Sequence, residues 1–400
     1  MSRRPYRSMD SRFEVTRRDL LAAAGAAGLV LGSPALWAEE TAPAPPAKPK
    51  TNIADALKVP RTKSSLPGPF QGRVVQVHDP KSMKGDAFDG RVVRAMFKRG
   101  IERLTGKNLK ESFGLFFNPG DIVGIKISPA GGAVNSTRPE VVDAVVEWLK
   151  AGGIPAGNII LWDRFDYMLK DAGFTPQRFP GVKLEGLQTM DEAAAEGKAD
   201  DSRWLTPEGR HISEPLWDTA VTYWADIEAP QDKPYLNQHV FNGKDSYFGK
   251  LVTQRLTKIV NIPVFKNTGN GVSMATKNLG YGAICNTGRL HKPLFFDVCT
   301  EVLAFPCLRD KIVLNINDGL LGQYDGGPMP APQFTYPNHT LYFATDPFAM
   351  DAVGQAHIIA KRKAMGVKVN EHPRYTDYLR YAETLGLGVV DPAKLQLVRA

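Results

Sequence analysis

The chain has 400 residues, 43% of them hydrophobic, and a formal net charge of +8 at pH 7, so it is long enough to bury one large core. Its basic excess is dispersed, with no Lys/Arg block and no interleaved aromatics, which argues against a nucleic-acid partner and leaves small anions as natural ligands. Cys285, Cys299 and Cys307 are separated by 13 and 7 residues, a spacing unlike zinc pairs or cluster-binding runs. Buried thiols are expected rather than a Cys-ligated metal, with at most one disulfide.

In chain order, Thr16-Arg17-Arg18-Asp19 closes a basic segment that runs into the mildly apolar stretch 20–31. This pattern predicts a twin-arginine signal peptide over residues 1–38, cut after Ala35 or Ala38. The apolar stretch is shorter than the roughly 20 residues of a membrane-spanning helix. The protein is therefore expected to be periplasmic or otherwise exported, with the twin-arginine machinery as a partner and no stable membrane anchor. Six arginines leave with the leader against Asp10, Glu14 and Asp19, which lowers the mature charge from +8 to +5. Residues 39–68 read as a Pro/Ala-rich linker and 69–400 as a single domain.

Within that domain, strand patterns fall at 72–77 and 121–127, with a helical pattern at 91–104 between them. Ser136 or Thr137 is placed to cap a helix with Pro139 in its first turn and Val142, Val145, Val146 and Leu149 on one face. Gly152-Gly153 stops it, and a strand follows at 158–161. Strand, helix and strand in this order predict a parallel pair joined by a right-handed crossover. Residues 167–250 lack clear periodicity apart from a possible strand at 220–227, and read as an insertion. Strands then recur at 258–265, 311–316 and 340–343, with helical patterns at 295–304 and 348–363. The fold class is α/β: a mostly parallel sheet flanked by helices in α/β/α layers, with an irregular insertion in the middle third.

Several of these strands end in residues with chemistry: His78, Asp79, Lys126, Asp163, Lys266, Asn317, Asp318 and Asp346. In an open parallel sheet such ends share one edge, where ligands bind. The densest stretch, 261–280, holds Lys266, Lys277, Asn278 and the pair Gly269-x-Gly271, and can present amides and ammonium groups to an anion. It is neither a phosphate-loop nor a dinucleotide motif, so ATP and NAD are not expected. Lys126, Lys266, Lys277, Asn278 and Asp346 are the candidate anion-binding residues, and Asp318 and His291 the candidate proton-transfer groups. Asp318 also reads as a turn residue before Gly319, and Asp346-Pro347 as a helix start. Asp351, five positions after Asp346, lies about 140° round a helix from it and need not share its pocket. No hydrolase elbow, zinc motif or kinase signature is present, and nothing in the pattern identifies a metal or cofactor.

Taken together, Val123-Gly-Ile-Lys126-Ile, the helix over 138–150, Ile262-Pro-Val-Phe-Lys266, Ala275-Thr-Lys277-Asn278-Leu-Gly280, Asn317-Asp318-Gly319 and Ala344-Thr-Asp346-Pro347-Phe-Ala-Met-Asp351-Ala resemble domain of unknown function 362. The likeness runs from Gly72 to Ala360, loosely through the insertion. It implies no assigned activity. Some members carry a ferredoxin-like module with Cys-ligated clusters, for which this chain has no Cys run. The family pattern also has a His where residues 267–270 stand here, which weakens any shared acid/base role of that loop. Two readings follow: an exported enzyme acting on a small anion in a Lys/Asn/Asp-lined pocket, or a noncatalytic periplasmic binding or assembly protein.

Overall fold

The computed structural model describes residues 48–189, 206–208, 210–228, 240–241, 243–291, 294–369 and 373–400. The predicted leader lies outside the described residues. Ten strands form one sheet: β1 (Arg73–His78), β2 (Val123–Ile127), β3 (Ile159–Phe165), β4 (Lys183–Gln188), β5 (Lys258–Ile262), β6 (Val264–Thr268), β7 (Gly271–Val272), β8 (Ile312–Gln323), β9 (Thr335–Ala344) and β10 (Gln396–Arg399). The order is β10-β1-β9-β8-β5-β2-β3-β4, with β6 paired to the distal half of β8 and β7 folded back on β6. Only β9 runs against its neighbours along that path. The molecule is thus an α/β fold built on a mostly parallel mixed sheet.

Alternation along each strand sorts side chains to two faces. Val75, Ile125, Leu161, Val260 and Phe343 enter one core with helices α1 (Gly90–Thr105) and α2 (Pro139–Ala151). Their chain neighbours Val74, Ile160, Ile259 and Tyr342 enter the cores of the opposite face. There the cover is α3 (Ala275–Gly280), α4 (Asp297–Leu303), α5 (Pro347–Ala364) and α6 (Asp377–Thr384). The start of α1 is fixed by Asp89, whose carboxylate accepts the amides of Arg91 (2.9 Å) and Val92 (3.3 Å), a cap worth about 1 kcal/mol. Gly100 lets α1 approach the sheet, since a Cβ there would sit 2.1 Å from the Phe343 ring.

Several expectations from the sequence are corrected. Neither Ser136 nor Thr137 caps α2: Ser136 Oγ donates to Pro129 O (2.7 Å), and Thr137 Oγ1 donates to Ile262 O (2.7 Å) while accepting from Ser128 N (2.8 Å). The strand expected at 258–265 breaks at Pro263, which has no N–H for a ladder, and continues as β6. The strand expected at 311–316 runs on to Gln323, because β9 pairs along its length and β6 replaces β5 at its edge. Asn317-Asp318-Gly319 is therefore strand, not turn.

The middle third is less irregular than its periodicity suggests. Residues 183–188 add β4 to the sheet edge, and Trp217–Trp224 pairs with Asp245–Gly249 in a separate antiparallel ribbon. The buried Arg289 guanidinium holds the ribbon by donating to the carbonyls of Ala225, Ile227 and Lys244. Residues 190–205 and 229–239 of the predicted insertion lie outside the described residues. Part of the expected linker is packed as well: Lys48 Nζ reaches Glu301 (2.8 Å) and Leu66 is buried, with its N–H on Arg309 O (2.8 Å). All three cysteines are free thiols, Cys285 and Cys299 buried and Cys307 partly so. No helix among the described residues is long and apolar enough to cross a membrane.

Candidate functional site

The register places Lys126 of β2 beside Asn261 of β5, and Asn261 beside Asn315 of β8. All three stand on the face opposite Ile125, Val260 and Leu314, so the period of two lines them up near the carboxyl edge. Their side chains form one chain of hydrogen bonds. Lys126 Nζ donates to Asp163, to Ile127 O (2.8 Å) and to Asn278 Oδ1 (3.1 Å). Asn278 Nδ2 donates to Asn261 Oδ1 (2.8 Å), Asn261 Nδ2 to Asn315 Oδ1 (2.9 Å), and Asn315 Nδ2 to Thr345 O (3.1 Å). A donor and an acceptor at each amide fix its orientation, so the row is rigid and satisfied. Gly282 is required beside it, because a Cβ would lie 2.5 Å from Lys126 Cε.

Asn261 and Asn315 were not among the residues singled out as site candidates. Their signal was a polar amide within an apolar strand, where an unpaired buried amide would cost about 1–3 kcal/mol.

Next to this satisfied row stand two lysines of another kind. Lys266 is 4% exposed, and among the described residues neither its ammonium nor that of Lys277 has a hydrogen-bond or carboxylate partner. Burial, with the charge of Lys277, pushes Lys266 down to about 8; the charges of Asp163 and Lys126 also act on it, so these groups share one electrostatic neighbourhood. Lys277 Nζ lies over the rings of Tyr281 (5.5 Å) and Phe295 (5.4 Å), faces that attract a cation. His291 stacks on Tyr281 at 4.5 Å and donates from Nδ1 to Thr287 O (2.9 Å), which leaves Nε2 as the acceptor. Although the residue as a whole is exposed, desolvation of the ring by the atoms around it, then the Lys277 charge, lowers its pKa and favours the neutral ring.

The acidic candidates are placed elsewhere. Asp318 accepts Arg138 N (2.6 Å) and Leu320 N (3.2 Å), so it clasps from β8 the residue that precedes α2. Burial raises it to about 6, and the charges that act on it are Arg138 and Glu140, not the lysines. Asp346 is fully buried at the start of α5 and accepts Phe348 N and Ala349 N (both 3.0 Å), Val389 N (2.8 Å) and Gly72 N (3.4 Å). Asp351 faces α3 instead: it accepts Ala275 N (2.8 Å), Thr276 N (3.1 Å) and Thr276 Oγ1 (2.5 Å), and so positions the helix that carries Lys277 and Asn278. Of the seven residues proposed, the structure brings Lys126, Lys266, Lys277, Asn278 and His291 into one neighbourhood and leaves Asp318 and Asp346 as backbone clasps.

These features define an α/β protein with a lysine- and asparagine-lined site at the carboxyl edge of its sheet. Residues 228–356 match the family described as Domain of unknown function (DUF362). The match includes β5, β6, α3 and β8, and hence Lys266, Lys277 and both ladder asparagines. No curated protein matches the chain. A crystal structure of a protein from Thermotoga maritima is similar at a TM-score of 0.33 and 8% identity, over 70% of this chain and 60% of that one. This chain thus spans less than two thirds of that protein, and the likeness carries no argument.

Proposed function

We propose that the protein binds a small anionic substrate between Lys266 and Lys277, in a pocket backed by the Lys126–Asn278 row, and acts on it as an enzyme. The observation that carries this reading is a pair of lysines, Lys266 buried and Lys277 partly so, left without an acceptor among the described residues. A buried, unpaired ammonium costs several kcal/mol unless something answers its charge. Neutral His291, with Nε2 free to accept, is the group suited to move a proton. Unfolding midpoints measured in sulfate, phosphate, acetate and oxalate test the reading. One of these anions, at 100 times its dissociation constant, is expected to stabilise the chain by about 2.7 kcal/mol. If none of the four shifts the midpoint more than sodium chloride at equal ionic strength, the anion pocket is wrong.

We further propose that the chain is exported by the twin-arginine pathway, supported by Arg17-Arg18 and the short apolar stretch after them. Replacing both arginines with lysine is expected to leave precursor in the cytoplasm of the native host; unchanged fractionation would refute export by this route.

A further inference from the structure

The three lysines of the site differ in what their nitrogens can do. Lys126 donates to a carboxylate, a carbonyl and an amide oxygen, so its ammonium is held and its lone pair is not available. Lys277 lies against two aromatic faces that favour a cation. Lys266 has neither an acceptor nor a ring among the described residues, keeps 4% of its surface open, and sits under the repulsion of Lys277. Burial and the charges of Lys277 and Lys126 favour its neutral amine and outweigh the opposing charge of Asp163.

We propose that Lys266 forms an imine with a small aldehyde or ketone that carries a carboxylate, while Lys277 holds that carboxylate. This rests on the anion-pocket reading above and names the substrate class for it. Lys266 Nζ adds to the carbonyl carbon to give a carbinolamine. The carbonyl oxygen and the two amine protons then leave as one water, and a carbon–nitrogen double bond remains. No oxidant or reductant is consumed. At a pKa of about 8 a useful fraction of Lys266 is the free amine near neutral pH.

The test is reduction with cyanoborohydride of the full chain incubated with pyruvate or with glyoxylate, followed by peptide mass mapping. Lys266 is expected to carry the reduced adduct at least about ten-fold above any other lysine, reflecting its amine fraction. Lys266→Met should abolish that adduct, and Lys277→Met should lower its yield. Lys266→Arg, which keeps the charge and cannot form the adduct, serves as the second variant should methionine at this position fail to fold. Adducts spread evenly over surface lysines would overturn the imine. If pyruvate stabilises the chain but leaves Lys266 unmodified, the imine fails and the anion pocket stands. Absence of both stabilisation and adduct overturns both.

Discussion

Replacing Lys266 with methionine is expected to make the protein more stable by about 1–3 kcal/mol while removing anion binding. Holding an ammonium where it titrates near 8, against 10.5 for an exposed lysine, costs roughly 3 kcal/mol at neutral pH. Methionine fills nearly the same volume with apolar atoms and removes that cost, less what imperfect packing returns. The sign with pH is fixed. Between pH 8 and 10.5 the unfolded chain holds the proton more tightly than the folded one, so wild-type stability rises across that window and its gap to the variant closes. Below pH 8 the gap is constant. Denaturant unfolding of both proteins from pH 7 to 10 checks this, and a variant less stable than wild type throughout would contradict it.

Asp346 is expected to behave in the opposite way. Its two oxygens accept four backbone amides from the start of α5, the segment before β1 and the segment before β10. Asp346→Ala strands these buried donors and is expected to cost about 3–5 kcal/mol; Asp346→Asn keeps one acceptor, turns an NH2 on the others, and is expected to cost about 2–3 kcal/mol. Burial raises the carboxyl to about 7 despite these donors. Its contribution is therefore complete below the ordinary carboxylate range and is lost as pH rises through about 7, a slope that Asp346→Asn should remove. Denaturation midpoints at pH 4.5 and 7.5 decide the matter. A substitution by asparagine that is neutral at both would show that the four-amide clasp is not what holds these segments.

The sequence was informative where a pattern has one physical cause. Alternation in β2, β5 and β8 and the helical spacing of α1, α2 and α5 are local, and the α/β alternation they make was legible. That Lys126 and Lys266 would share an edge was legible because both lie at strand ends of a parallel sheet, and Lys277, Asn278 and His291 were legible only as polar residues close in sequence to Lys266. Asp318 misled because an Asp-Gly pair has the same local appearance in a turn and in a strand; only the register with β6 and β9 shows that β8 continues. Its partner, the amide of Arg138, is 180 residues away in sequence, beyond any local pattern. The amide row was hidden for the same reason. Asn261 and Asn315 acquire meaning only when β5 and β8 become neighbours, although they are 54 residues apart. Asp351 was correctly separated from Asp346 by helical geometry, while its partner α3 was not foreseeable.

Calorimetric titration of the stabilising anion into wild type and into the Lys266→Met/Lys277→Met double variant tests the central claim most directly. The account predicts saturable binding at one site in wild type, weakened at least about 100-fold in the variant, as loss of two charge-assisted contacts requires. Equal affinity in the two proteins would contradict it and place the anion site, if any, elsewhere on the molecule.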